Sequence, residues 1–282
     1  MAVTVAVETA TAGTATAAAA DNANGYRAPM IRVGVVGAAG RMGATVCDAV
    51  AAAEGLELAA AIDVVGGGGS VHGVAIHKEL KALVDASCDV VVDFTVAAAA
   101  RQTLPFLALH GIHAVVGTTG FSEDDLASFR SAFTGSNCLI AANFAIGAVL
   151  MMKFAEQAAP YFETAEIIEF HHNAKADAPS GTAMATAQRM AAASTEWAAD
   201  PTKHEVIPGA RGGVGPGGIH VHGVRMVGMT ASQEVILGTA GQTLVIRHDS
   251  NDRVSFMPGV VLACRKVAGL PDTLTMGIDS LL

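Results

Sequence analysis

From residue 31 onward, short apolar runs alternate with segments whose apolar positions recur at helical spacing. Ile31–Val36 reads as a buried strand, followed by glycine punctuation and a helix from about Arg41 to Ala53. Leu56–Asp63 and Asp89–Phe94 read as further strands, with a helix over Ala97–His110 and a strand over His113–Val116. Ser122-x-x-Asp125 is a capping-type helix start, and Asn137–Ala141 is a short strand. Strands that alternate with helices in this way predict a parallel sheet covered on both faces, with a ligand site beyond the carboxyl ends of the strands.

The pattern changes after about Asn143. A long apolar helix, Ile146–Ala159, leads into a strand over Ala165–Phe170, a polar loop over 171–181 and a helix from Thr182 to Ala193. A glycine-rich stretch over 208–218 precedes three strand-like runs, 219–227, 233–238 and 243–248. Gly238-Thr239-Ala240-Gly241 between the last two is a hairpin signal. The last helix, about Val254 to Val267, is expected to return to the first unit. The predicted class is α/β: a parallel-sheet domain over 30–143, completed by 254–282, and an α+β domain with a mixed or antiparallel sheet over 144–253.

Residues 1–29 are rich in Ala and Thr, have no period, and carry their first basic residue at Arg27. They have neither the charged start and leucine-like core of a secretory signal nor the several arginines of a presequence. They are expected to be a disordered extension, with the fold beginning at Met30. Their deletion is expected to leave activity and melting temperature unchanged.

Composition narrows the function classes. Of the 282 residues, 51% are apolar and 15% charged, which suits a packed core and argues against a disordered or collagen-like chain. The net charge of −9 argues against a nucleic-acid or anionic-membrane binder, so any anionic ligand must be met by locally gathered cations. Much of the apolar content is alanine, and no run of membrane-spanning length is present. The four cysteines, Cys47, Cys88, Cys138 and Cys264, are far apart without a C-x-x-C pair; they suit buried reduced thiols in a cytoplasmic protein.

Gly34-Val35-Val36-Gly37-Ala38-Ala39-Gly40-Arg41-Met42-Gly43 lies between a strand and a helix, as a dinucleotide site requires. Gly37 permits the tight turn, Gly40 lets the backbone approach a pyrophosphate, and Gly43 lets helix and strand pack closely. Asp63 lies about 20 residues beyond, at the end of the second strand, where an acid binds the adenosine ribose hydroxyls. It also repels a 2′-phosphate, and Val64-Val65-Gly66 offers no cation, so NADH is expected in preference to NADPH. Asp93-Phe94-Thr95, Gly117-Thr118-Thr119-Gly120 and Ala141-Ala142-Asn143-Phe144 follow strand ends on the same edge, near where a nicotinamide would lie. Residues 30–143 with 254–282 are thus expected to be a Rossmann-type dinucleotide-binding domain, and 144–253 the substrate domain.

The densest polar stretch of the second unit runs Glu169-Phe170-His171-His172-Asn173-Ala174-Lys175-Ala176-Asp177-Ala178-Pro179-Ser180-Gly181-Thr182. Adjacent histidines on a strand end point to opposite sides, so one of them is expected to face a ligand. Pro179-Ser180-Gly181-Thr182 opens a helix whose first N–H groups suit a carboxylate. His, Lys and a helix start within a dozen residues suggest an anion held beside a proton donor. No metal site is expected, because H-E-x-x-H and a third ligand at metal spacing are lacking.

His-His-x-x-Lys-x-Asp-Ala-Pro-Ser-Gly-Thr resembles the signature of the dihydrodipicolinate reductase family. Val33–Gly43, Asp93–Thr95, Gly117–Phe121, Asn143–Gly147, Gln233–Val235 and Arg253–Phe256 resemble it in the same order, over about residues 31–282. Gly209-Ala210-Arg211-Gly212 and Ile246-Arg247-His248-Asp249-Ser250 are most similar to actinobacterial members. Asn173-Ala174 and Ala142 depart from what many members carry there. The resemblance implies reduction of a cyclic unsaturated imine dicarboxylate to tetrahydrodipicolinate by NADH or NADPH, in lysine and diaminopimelate biosynthesis. It implies His171 as the acid/base residue, Lys175 as proton donor and carboxylate contact, and His172 as a substrate contact. It implies that Gly181 and Thr182 hold a carboxylate through their N–H groups. Gly37, Ala38, Ala39, Gly40, Arg41, Met42, Asp63, Gly117, Thr118, Thr119, Ala141, Ala142, Asn143 and Phe144 would line the cofactor. A homotetramer built through the second-domain sheet is implied as well.

Two other readings remain open on the sequence. One is a different two-domain dehydrogenase, such as a diaminopimelate or aspartate dehydrogenase. The other is a catalytically silent NADH-sensing module, which loss of His171 or Lys175 would have favoured.

Overall fold

The computed structural model describes residues 30–65 and 68–282. The expected disordered extension over 1–29 lies outside the described residues. In the first part β1 (Ile31–Val36), α1 (Arg41–Ala52) and β2 (Leu56–Ile62) are followed by β3 (Ser70–Val71), β4 (Val74–His77) and α2 (Lys81–Asp85). Then come β5 (Val90–Asp93), α3 (Ala97–Leu109), β6 (His113–Val116), α4 (Glu123–Ala132) and β7 (Cys138–Ile140). The second part holds α5 (Ile146–Ala158), β8 (Thr164–His171), α6 (Gly181–Ala193), β9 (Gly213–Val214), β10 (His220–Arg225), β11 (Ala231–Thr239) and β12 (Gln242–Ser250). The chain ends with α7 (Met257–Lys266) and β13 (Leu274–Met276).

The first sheet has the order β13-β7-β6-β5-β1-β2-β4-β3. Its pairings are parallel except that of β3 with β4. β5, β6 and β7 are buried nearly throughout, which is why they read as continuous apolar runs rather than alternating ones. The order reverses across β1 and β5, so the loops after β1, β5, β6 and β7 gather on one edge at a topological switch point. One apolar cluster, with Leu83, Leu104, Leu107 and Phe129, packs α2, α3 and α4 against this sheet. A second cluster carries α1 and α7 and continues through α5 and α6 into the other sheet, joining Val46, Val260, Met151, Met190 and Ile167.

The second sheet has the order β12-β11-β8-β10-β9 and is mixed: β8 and β10 are parallel, the other pairs antiparallel. Its register stacks cross-strand rows. Val221, Ile167, Val235 and Ile246 form an apolar row. Gly223, Glu169, Gln233 and His248 form the next, and Arg225, His171, Ala231 and Ser250 the one beyond. On one face the sheet thus changes from apolar to polar toward the end of β8 that meets the first part.

Several elements differ from expectation. The hairpin β3–β4 and helix α2 fall in a stretch where the periodicity shows no element; these pieces are short and half exposed, and the sheet edge supplies their pairing. The helix expected from Val254 instead begins as a 3-10 turn over Arg253–Phe256, capped by the Asp252 side chain, and α7 starts at Met257. Pro258 in its first turn lacks the donor that a longer helix would need there. β13 takes its strand form from pairing with β7. The Ser122 capping box does form, with reciprocal bonds between Ser122 and Asp125.

Candidate active site

The loop Gly37–Gly40 joins β1 to α1 at the switch point. Gly37 has φ +83°, a conformation that glycine adopts without penalty. A Cβ on Gly43 would overlap the Gly37 carbonyl oxygen, so α1 can lie this close to β1 only because residue 43 is glycine. The N–H groups of Gly37 and Ala38 donate to the Ile62 carbonyl, and that of Ala39 to Asp63 Oδ2 at 3.0 Å. The next N–H groups, from Arg41 to Gly43, open α1 and lack carbonyl partners four residues back within the helix. Tight turn, close helix start and terminal acid together fit the pyrophosphate and ribose of a dinucleotide. Asp63 does more than wait for a ribose: Oδ1 accepts from the Val65 N–H at 2.8 Å, so the carboxylate braces both loops beside it.

Asp93, fully buried at the end of β5, ties together two neighbouring loops. Its Oδ1 accepts from Thr95 N (2.9 Å), Thr95 Oγ1 (2.6 Å) and Thr118 Oγ1 (3.1 Å). Burial pushes its carboxyl above the usual range, against these hydrogen bonds. Thr118 is thereby a buried brace rather than an exposed hydroxyl. Gly117 leaves room for the Phe94 ring, which packs against Phe144 at 5.6 Å. Ala141 and Phe144 are buried, so they support the edge from beneath; Thr119, Ala142 and Asn143 line the cleft.

That cleft is a cavity of about 460 Å³ between the two sheets. On the far side it is lined by His171, Lys175, Asp177, Gly181, Thr182, Gln233 and His248. His171 ends β8; His172, the next residue, is exposed and not among the lining residues. The alternation expected for adjacent histidines thus puts one on the cavity and one away from it. Lys175 Nζ donates to both Asp177 oxygens at 2.8 and 3.0 Å. Ser180 caps α6 by accepting from Ala183 N, which leaves the Gly181 and Thr182 N–H groups at the helix start beside the cavity. Asn143 Nδ2 donates to Thr182 Oγ1 at 3.3 Å and so bridges the two sides.

Behind His171 lies a residue of the same polar stretch to which the sequence pattern gave no role. Glu169 is fully buried. Its Oε2 lies 2.6 Å from His171 Nδ1, and its oxygens accept from Arg225 Nη1 and Nη2 at 2.8 and 2.7 Å. Oε1 also accepts from Ser180 N at 3.1 Å. Burial raises the Glu169 carboxyl, but the hydrogen bonds from Arg225 and His171 outweigh it and hold the group below the usual range. For His171, burial lowers the imidazole below its usual value; Glu169 opposes this, while Lys175 and Arg225 add to it. Gln233 Nε2 donates to Thr186 Oγ1 at 2.7 Å, and that hydroxyl donates to the Thr182 carbonyl at 2.8 Å. His248 completes the row across the sheet. A Cβ on Gly147 would meet its ring at 2.5 Å, so this glycine of α5 makes room for it.

A family model described as dihydrodipicolinate reductase, N-terminus, matches residues 31–144, and one described as its C-terminus matches 147–282. The chain is 55% identical over 260 residues to the 4-hydroxy-tetrahydrodipicolinate reductase of Thermobifida fusca, covering 90% of this chain and 99% of that one. It is 50% identical to that of Mycolicibacterium vanbaalenii, covering 89% and 99%. A solved structure, a dipicolinate-bound dihydrodipicolinate reductase from Paenisporosarcina sp. TG-14, superposes with a TM-score of 0.81 at 36% identity, covering 90% of this chain and all of that one.

Proposed function

We propose, from the premise that this chain belongs to the dihydrodipicolinate reductase family, how its cleft carries out the family's reaction. The chain is an oxidoreductase that reduces 4-hydroxy-tetrahydrodipicolinate to tetrahydrodipicolinate, with loss of water, in lysine and diaminopimelate biosynthesis. The observation that carries the residue-level reading is the meeting of Asn143 and Thr119 with His171, Lys175 and the α6 start around one cavity.

The Gly37–Met42 turn, with Asp63, Thr119, Ala142 and Asn143, holds the nicotinamide dinucleotide. When bound, that cofactor supplies a hydride. The N–H groups of Gly181 and Thr182 hold one substrate carboxylate at the positive end of α6. The Lys175 ammonium neutralises the dicarboxylate and favours negative charge building on the ring during reduction. His171 presents Nε2 and supplies or relays the proton that quenches that charge. His172, outside the lining, is not assigned a substrate contact in this arrangement.

NADH is the preferred cofactor, for Asp63 disfavours a 2′-phosphate and Val64-Val65 adds no cation. One cation does come near by pairing: β4 lies beside β2, the His77 carbonyl accepts from Asp63 N, and Lys78 follows. We assign Lys78 to the weaker use of NADPH. Residues 30–143 with 254–282 form the dinucleotide unit and 144–253 the substrate unit. The second sheet is the tetramer contact, since Ile168, Phe170 and Ile236 stand half-exposed on its outer face. A cytoplasmic site fits the four buried free thiols; no helix among the described residues is long and apolar enough to cross a membrane.

The test is a coupled assay in which aspartate semialdehyde, pyruvate and a dihydrodipicolinate synthase generate the substrate in place. NADH oxidation that depends on the synthase is expected. Tight NADH binding without oxidation would leave the dinucleotide half standing and overturn the substrate half.

A further inference from the structure

We infer that Glu169 is the positioning residue of this site: it fixes which nitrogen of His171 faces the substrate and ties that imidazole to the carboxylate-binding start of α6. The inference rests on the functional reading above and adds a residue to it.

The geometry starts from strand pairing. β8 brings Glu169 and His171 to one face two residues apart, because alternate residues of a strand share a face. β10 runs parallel beside it, placing Gly223 opposite Glu169 and Arg225 opposite His171. A Cβ on Gly223 would already lie 3.2 Å from Glu169 Oε1, and the Arg225 guanidinium occupies the neighbouring space. A larger residue at 223 would therefore crowd the pair. The guanidinium then grips Glu169 through two nitrogens and holds the Asp177 carbonyl at 2.6 Å. The same carboxylate receives Ser180 N, the N-cap of α6. One buried anion thus anchors the strand end, the loop that carries Lys175, and the helix start.

An ionised Glu169 can only accept hydrogen bonds. Its contact with His171 therefore requires the proton on Nδ1, which leaves Nε2 to face the cavity. Arg225 keeps Glu169 ionised, so this orientation persists whether His171 is neutral or charged. The charged and titratable groups around His171 are Glu169 on its own strand, Lys175 and Asp177 from the loop, Arg225 from β10 and His248 from β12. The first turn of α6 adds its positive end. Glu169 is the only buried anion in that set, and its charge is the one that favours imidazolium.

The experiment compares the intact enzyme with Glu169→Gln by two measurements. The first is nitrogen NMR of the histidines in the apo protein, which needs no substrate. Neutral His171 is expected to carry its proton on Nδ1 in the parent. In Glu169→Gln the Nε2–H form should gain population and the ring should titrate at a pH lower by about 1 or more. The second is kcat in the coupled assay. Glu169→Gln is expected to lower it about 10- to 100-fold with NADH affinity unchanged. In a His171→Ala background the same change should cost several-fold less than in the parent, since the imidazole-orienting part of its effect is then gone and only the anchoring of the loop and the helix start remains.

An unchanged tautomer and titration would overturn the inference, as would an equal loss of kcat in both backgrounds. If Glu169→Gln does not fold, Glu169→Asp keeps the charge but withdraws it by one methylene, and the same NMR shifts are expected at smaller size. A parent enzyme that oxidises no NADH would refute the reductase reading alone, because the NMR comparison stands without turnover.

Discussion

The Asn143 side-chain amide donates to the Thr182 hydroxyl at 3.3 Å, across the cleft between the two sheets. Asn143 is itself fixed, because its Oδ1 accepts from Ala145 N at 2.8 Å. The loop after β7 is thereby tied to the start of α6, which the proposed reading gives to a substrate carboxylate. A single neutral hydrogen bond contributes about 0.5–1.5 kcal/mol. Asn143→Ala is therefore expected to raise KM for the dicarboxylate roughly 2- to 10-fold, measured in the coupled assay at saturating NADH. No change in KM would show that this bridge is idle in the working enzyme.

Lys175 lines the cavity paired with Asp177, and in the proposed reading it exchanges that partner for a substrate carboxylate. Lys175→Ala should lower kcat by about 10²-fold or more while NADH affinity, read by fluorescence titration, barely moves. Collapse of NADH binding would mean that Lys175 serves the cofactor instead.

The glycine at 43 separates packing from chemistry. Gly43→Ala puts a methyl into the Gly37 carbonyl, and relief requires α1 to move off β1. Overpacking of this kind costs about 1–3 kcal/mol or more. Both a lower Tm and weaker nucleotide binding are expected, with binding of dipicolinate preserved. A variant with parental Tm and NADH affinity would show that the loop relaxes without cost.

Cofactor choice is predicted to divide between two residues. Lys78→Ala should reduce kcat/KM for NADPH and leave that for NADH unchanged. Asp63→Asn should narrow the gap between the two cofactors by removing the repulsion of a 2′-phosphate. Equal kcat/KM values in the parent would refute the NADH preference.

Protonation should follow the ligand. Burial holds His171 below the usual imidazole value of about 6.5, so it is mostly neutral at pH 7.5 in the free enzyme. A dianion bound beside it favours the charged form and raises that value. Binding of dipicolinate above the free-state value is thus expected to take up a fraction of a proton, and to weaken as pH rises. Calorimetry in two buffers of different ionisation enthalpy would measure this; no buffer dependence near pH 7.5 would contradict it.

The alternation of strands and helices, the glycine turn before α1, the Ser122 cap and the helix start at Ser180 were all legible along the chain. Each depends on neighbours a few residues apart: apolar spacing, a residue free to take positive φ, a side chain reaching the next turn's N–H groups. His171 and Lys175 stood out because cations are scarce in this acidic chain. The tertiary structure decided the rest. It placed His171 on the cavity and His172 outside the lining, and it turned Thr118 inward onto Asp93. It also brought Arg225 to Glu169 from 56 residues away. No local pattern marks such a pair, since a buried glutamate and a surface one look alike in sequence. Only the parallel register of β8 with β10, and the space that Gly223 leaves, make them partners.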